Sequence, residues 1–268
     1  MAILDLRVPL AGRVALITGS TSGMGREAAR HLALNGATVV LHGFGDAVEI
    51  EAQRAGLAAE SGQAVAYLPH DLADPHAAAA LVDEVISHFG KLDILINNAG
   101  IQHVDDIDSF PTDKWDELIA VNLTAAFHTI RRAFPGMRER RWGRIINTAS
   151  TLGLTAELRK PAYVAAKHGI IGLTREVALE GAEVGVTCNA ICPGWVLTPL
   201  VSRQVDAKVA ALGLPRDAVI RDHFLRDLPT RRFVETNEIA GAMLFLCSEV
   251  ARSITGCSLP VDGGSLVI

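Results

Sequence analysis

Cysteine is scarce. Cys188, Cys192, Cys247 and Cys257 are the only four in 268 residues, too few for a disulfide scaffold and without the CxxC spacing of a zinc site. Cys188 and Cys192 lie an even number of residues apart in a β-like run, so they are expected as same-face core residues, with no metal or redox role. The nine histidines contain no HExxH and no paired ligand cluster, so no metal site is expected. No stretch approaches the ~18 uninterrupted apolar residues of a membrane span, and Asp5, Arg7 and Pro9 interrupt any apolar segment near the start. A cytoplasmic protein without membrane contact is the expectation. Lys and Arg total 25 against 30 Asp and Glu, a net charge of −5, so no broad basic field exists to attract nucleic acid.

What is present is an ordinary globular composition, 49% hydrophobic and 21% charged, which excludes disorder. A chain of this length buries roughly three quarters of its unfolded surface. Short apolar runs recur at Arg13 to Thr18, Ala37 to His42, Ala64 to Leu68, Leu92 to Asn97, Arg144 to Ala149 and Val184 to Cys192, with a last one near Ser258 to Val261. Alanine-rich stretches at 22 to 38, 46 to 61, 75 to 89, 112 to 139 and 161 to 181 separate them. Each is long enough for a crossover helix, which demands parallel strands. The fold expected is α/β, one doubly wound domain over 1–268 with helices on both faces. Regular alternation fails only at 194–232, a charged excursion beyond a strand's carboxyl end, where ligands of such sheets sit. Helices at about 199 to 212 and 216 to 227 are expected to cover the site.

Between the first strand and first helix stands Thr18-Gly19-Ser20-Thr21-Ser22-Gly23-Met24-Gly25. Its glycines permit positive φ and close backbone approach, and the helix amides behind them face an anion such as a pyrophosphate. The spacing is GxxxGxG; an ordinary tight turn is the competing reading. No Lys or Arg occurs from Ala37 to Gln53, where the adenosine ribose would lie, so NAD is expected over NADP. The usual acidic residue at the second strand's end is replaced by His42 and Gly43, leaving Phe44 or Asp46 to line the ribose; Arg26 is the basic residue best able to reverse the preference.

Tyr163 and Lys167 stand at i and i+4 on one helix face, and Ser150 precedes the tyrosine by thirteen residues at the end of an expected strand. A cation beside a phenol stabilises tyrosinate, lowering a pKa otherwise near about 10 toward what an acid/base for an alcohol and its carbonyl requires. Ser150 lies in no GxSxG elbow, which argues against hydrolase chemistry.

The glycine segment, Asp71-Leu72, Asn97-Asn98-Ala99-Gly100, Asn122, Ser150, Tyr163, Lys167 and Pro193-Gly194 together resemble the short-chain dehydrogenase/reductase superfamily, in order from Gly12 to Gly264. The resemblance implies a seven-stranded Rossmann-like sheet. It also implies Tyr163 as general acid/base, Lys167 on the nicotinamide ribose, Ser150 on the substrate oxygen and Asn122 holding a relay water. Gly19, Thr21, Ser22, Gly23, Met24 and Gly25 would hold the pyrophosphate side, Phe44 the ribose side, and Asp71 and Leu72 the adenine. Asn98, Ala99 and Gly100 would floor the cofactor, Thr198 would meet its carboxamide, and Pro193, Gly194 and Val196 would also contact it. Relatives are commonly homotetramers built through the helices near 112 to 139 and 161 to 181 and through the C-terminal edge.

Within the superfamily, Asn98 to His103, Lys114-Trp115-Asp116, Ala162 to Gly169, Cys188 to Leu200 and Gly43 to Asp46 resemble the bacterial D-3-hydroxybutyrate dehydrogenases. There a substrate carboxylate is held by two glutamines, a lysine and a histidine. The matching positions are Gln102, Gln204, Lys160 and Leu152, with Trp195 beside them. Leu152 removes the imidazole, and Ser265 stands where the family closes the pocket with tryptophan. The substrate implied is a 3-hydroxy acid such as 3-hydroxybutyrate or a bulkier relative. The alternatives are a reductase of 3-oxoacyl carrier-protein, sugar or secondary-alcohol substrates, and, more remotely, a catalytically silent NAD-binding regulator.

Overall fold

The computed structural model describes residues 8–267; Asp5 and Arg7 of the opening segment lie outside them. Seven parallel strands form one sheet in the order β3-β2-β1-β4-β5-β6-β7. They are β1 (Val14–Ile17), β2 (Thr38–Leu41), β3 (Val65–Tyr67), β4 (Ile94–Asn97), β5 (Gly143–Thr148), β6 (Val186–Pro193) and β7 (Ser258–Val261). The crossovers are α1 (Gly23–Leu34), α2 (Ala47–Ser61), α3 (Pro75–Phe89), the pair α4 (Thr112–Ile119) and α5 (Ala125–Glu139), and α6 (Pro161–Gly181). Beyond β6 come α7 (Pro199–Leu212), the single turn α8 (Arg216–Val219) and α9 (Thr236–Cys247).

The short apolar runs become strands because both faces of the sheet are covered, which rewards side chains that are apolar in both directions. In β1, Ala15 and Ile17 pack with Ala28, Leu32 and Met243 of α1 and α9, while Val14 and Leu16 pack with Leu81, Val85 and Met137 of α3 and α5. Some helix ends are written locally. Asp46 caps α2 through the Val48 and Glu49 amides, and Gly62 closes it in the left-handed region. Asp46 is thereby spent on the helix and does not line the site. Cys188 and Cys192 are fully buried as expected, and burial pushes the Cys192 thiol up to about 11 and that of Cys247 up to about 12.

Two elements differ from expectation. The stretch 112 to 139 is not one regular helix, because a π turn at Ala120–Thr124 separates α4 from α5. Helix α9 was not anticipated at all. Its sequence is apolar nearly all round, which blurs helical periodicity, yet a Glu235–Glu238 capping box marks its start and it packs on α1 in the core. The excursion after β6 contains helices near the expected places, but the second ends as a π turn at Ile220–Phe224. It has a small core of its own, Val201, Val205, Val219 and Phe224 with Trp195 against them.

Candidate active site

Strand order reverses between β1, whose next strand lies on one side, and β4, which lies on the other. The crevice at the carboxyl ends of parallel strands, beside such a switch, is the ligand position of open α/β sheets. Here it is a cavity of about 940 Å³ reached by the loops following β1 to β6 and roofed by the excursion.

The glycine segment turns from β1 into α1 with Gly19 at φ 63° and Gly23 at φ 55°. Ser22 stands at the N-cap position of α1 without a side-chain cap, and the first turn carries no acid. The leading amides of α1 are thus left for an anion, as a pyrophosphate requires. Asn98 clamps this turn: its Nδ2 donates to the carbonyls of Thr18 (3.0 Å) and Gly19 (3.1 Å). The Asn98 and Ala99 amides donate to Thr18 Oγ1 at 2.9 and 3.0 Å. Asn97 faces the other way, joining Asn147 at 2.9 Å and Thr129 at 2.7 Å in a buried network that fixes β4 to β5 and α5. Gly19, Thr21, Ser22, Gly23, Met24, Phe44, Asp71, Leu72, Asn98, Ala99, Gly100, Pro193, Gly194, Val196 and Thr198 all line the cavity. Gly25 does not. It is buried behind the loop, where a Cβ would stand 2.4 Å from both Asn98 Nδ2 and the Gly19 carbonyl, so its smallness serves packing.

At the expected ribose edge, His42 is structural. Its Nδ1 accepts from the Gly19 amide at 3.2 Å and its Nε2 meets the His70 carbonyl at 2.9 Å. That pairing fixes a neutral Nε2–H ring, and burial holds its pKa below the usual histidine range. Phe44 lies exposed on the cavity wall, whereas Arg26 is not part of it.

On the reacting side, Gly153 lets the turn after β5 approach α6 closely, since a Cβ there would meet the Lys167 carbonyl at 2.5 Å. This contact brings Ser150 beside Tyr163. Ser150 Oγ accepts from the Leu152 amide at 3.1 Å, leaving its proton for Tyr163 or a ligand oxygen. Lys167 Nζ donates to the Thr148 carbonyl at 2.6 Å and stands 5.4 Å from the centre of the Tyr163 ring. The expected lowering of the tyrosine pKa is not what the protein's own groups produce. Burial pushes Tyr163 upward, a hydrogen bond with Ser150 opposes it, and Glu157 adds to the rise. Lys167 itself is lowered to about 8, because burial disfavours the ammonium.

Asn122 stands apart from the cavity wall. It sits in the π turn, where its Oδ1 accepts from the Ile101 amide and its Nδ2 donates to the Ile101 carbonyl, both at 2.9 Å. Both ends of the amide thereby shape the 98–101 turn.

The same cavity is lined by Gln102, Leu152, Lys160, Trp195 and Gln204, and by Ser265. Gln204 Nε2 donates to Gln102 Oε1 at 2.9 Å, tying α7 to the loop after β4. Lys160 is buried, pairs with Glu157 at 2.9 Å and lies 5.0 Å over the Trp195 ring. Sequence reasoning missed Glu157 and the wall formed by His223, Phe224 and Leu228. Glu157 carried a signal, standing three residues before Lys160; the wall arises from the packing of the excursion and carried none. Among the described residues no group of three metal-ligating side chains occurs, and no helix is long and apolar enough to cross a membrane.

A family profile described as Enoyl-(Acyl carrier protein) reductase matches residues 19–265. The D-beta-hydroxybutyrate dehydrogenase of Cupriavidus necator is 50% identical over 258 residues, 95% of this chain and 98% of that protein. That of Rhizobium meliloti is 48% identical, over 94% and 98%. The chain belongs to the short-chain dehydrogenase/reductase family. Among solved structures, a putative 2-deoxy-d-gluconate 3-dehydrogenase from Agrobacterium tumefaciens with bound NADP superposes with a TM-score of 0.84 at 35% identity, covering 98% of this chain and all of that one. The protein is therefore a nicotinamide-dependent oxidoreductase built on the family's seven-stranded sheet.

Proposed function

We propose that the protein is an NAD-dependent oxidoreductase of a 3-hydroxy acid, either 3-hydroxybutyrate or a bulkier relative. The observation that carries this is one cavity lined both by an acid/base pair, Ser150 and Tyr163, and by amide and ammonium groups, Gln102, Gln204 and Lys160. The high identity to two D-beta-hydroxybutyrate dehydrogenases supports it. Leu152 and Ser265 line the cavity where the family has histidine and tryptophan, which leaves a roomier pocket that suits a longer substrate. NAD is preferred to NADP because no basic side chain accompanies Phe44 at the ribose edge. A homotetramer in the cytoplasm completes the reading.

When bound, the nicotinamide supplies the hydride acceptor for oxidation and the donor for reduction. Ser150 holds the substrate oxygen, and Tyr163 takes its proton during oxidation and returns it during reduction. Lys167 would hold the ribose side, and its positive charge below about pH 8 favours tyrosinate. The glycine turn and Asn98 orient the dinucleotide, and the excursion excludes water from the reacting atoms. NAD+ reduction measured over a panel of hydroxy acids, sugars and secondary alcohols tests this directly. The reading expects 3-hydroxy acids to lead, with kcat/KM rising beyond four carbons; a strong preference for the four-carbon acid contradicts the enlarged pocket.

A further inference from the structure

The ammonium at the substrate end already has a carboxylate beside it. Lys160 is only 5% exposed, and Glu157 Oε1 lies 2.9 Å from its Nζ. The loop carrying both is held from outside. Arg159 adopts a left-handed φ of 68°, its carbonyl accepts from the Asp105 amide at 2.9 Å, and its guanidinium pairs with Asp106 at 3.2 Å. A non-glycine residue keeps such a conformation only where its surroundings enforce it, and the effect here is to turn Lys160 inward over Trp195. Glu157 is less constrained, with its side chain 43% exposed. It lines the same cavity, and its charge reaches Tyr163.

We infer that Glu157 sets the charge preference of the substrate end by competing with a substrate carboxylate for Lys160. The inference rests on the hydroxy-acid reading above and deepens it. Two carboxylates against one buried ammonium repel each other, so an acid must expel Glu157 toward solvent before it gains its charge-assisted hydrogen bond. A neutral amide or ester meets no such opposition and can bond to the Gln102–Gln204 pair. Leu152 offers an entering acid no compensating donor. The parent protein accordingly binds short carboxylates weakly for a pocket that contains a lysine.

The test uses butyrate and butyramide, which match in shape and differ in charge, titrated calorimetrically into the NAD+-saturated protein. Glu157→Gln should tighten butyrate about tenfold while butyramide moves by less than about twofold. Adding Lys160→Met should abolish the gain. Unchanged or weaker butyrate binding in Glu157→Gln overturns the inference, as does absence of butyrate binding in both proteins. Turnover of 3-hydroxy acids by the parent is recorded alongside. Tightening without turnover contradicts the hydroxy-acid reading alone, and turnover without tightening contradicts the role of Glu157 alone.

Discussion

Lys167 shows how a reactive residue costs stability. Its side chain is 3% exposed and its pKa falls from 10.5 to about 8. Below pH 8 both folded and unfolded chains carry the proton, so the penalty of burying an ammonium is fully present. Between about pH 8 and 10.5 the folded chain has lost the proton that the unfolded chain keeps, and the penalty fades. Lys167→Met should therefore be more stable than the parent at pH 7, by up to roughly 3 kcal/mol less the lost bond to Thr148, and should lose that advantage as pH rises to about 10.5. Urea unfolding of both proteins across that range, without cofactor, checks it. At this scale the sequence was most informative about residues whose spacing is itself chemistry: Tyr163 and Lys167 share a helix face, a pairing common by chance that gained meaning from Ser150 thirteen residues earlier. The part Asn122 plays in shaping the 98–101 turn was hidden, because its partner, the Ile101 backbone, comes from another loop that only the fold brings near. Glu157 was overlooked because its meaning depends on Lys160 pointing inward.

Elements position these groups through close backbone contacts that local patterns do not reveal. The approach of the Ser150 turn to α6 depends on Gly153, where a Cβ would meet the Lys167 carbonyl at 2.5 Å. Gly153→Ala should separate Ser150 from Tyr163, costing about 1–3 kcal/mol of stability from overpacking and on the order of 10²-fold in kcat from misplacement. Thermal unfolding and steady-state kinetics measure both, and a variant with parental kcat would show that the contact does not set the site. Strands were legible as apolar runs because burial on both faces writes the same signal into each. Helix α9 was not, because a helix packed against both its neighbour α1 and the sheet is apolar on most sides and loses its period. The π turn also left no trace, since its extra residue is decided by packing around Asn122.

For the whole molecule, the reversal of strand order beside β1 opens the crevice that takes the ligands, and the alternation of strands and helices already pointed to a doubly wound sheet with its ligand beyond the carboxyl ends of the strands. The shape of the substrate end was not legible, because the excursion beyond β6 builds it from its own small core. Charge at the ribose edge leads to a prediction for the intact protein. NAD+ at one hundred times its Kd should raise stability by about 2.7 kcal/mol, and NADP+ at the same concentration should raise it less. An equal or larger shift in melting temperature with NADP+ would reverse the cofactor preference. Because burial raises Tyr163, oxidation should gain with increasing pH and reduction should lose, the tyrosinate being the base and the phenol the acid. All of this converges on one phenolic hydroxyl. Its most direct test is the steady-state rate of NAD+ reduction by D-3-hydroxybutyrate and its longer homologues with the parent and with Tyr163→Phe. The account predicts a loss in kcat of about 10²- to 10⁴-fold with NAD+ binding intact; turnover by the variant within a few-fold of the parent would contradict it.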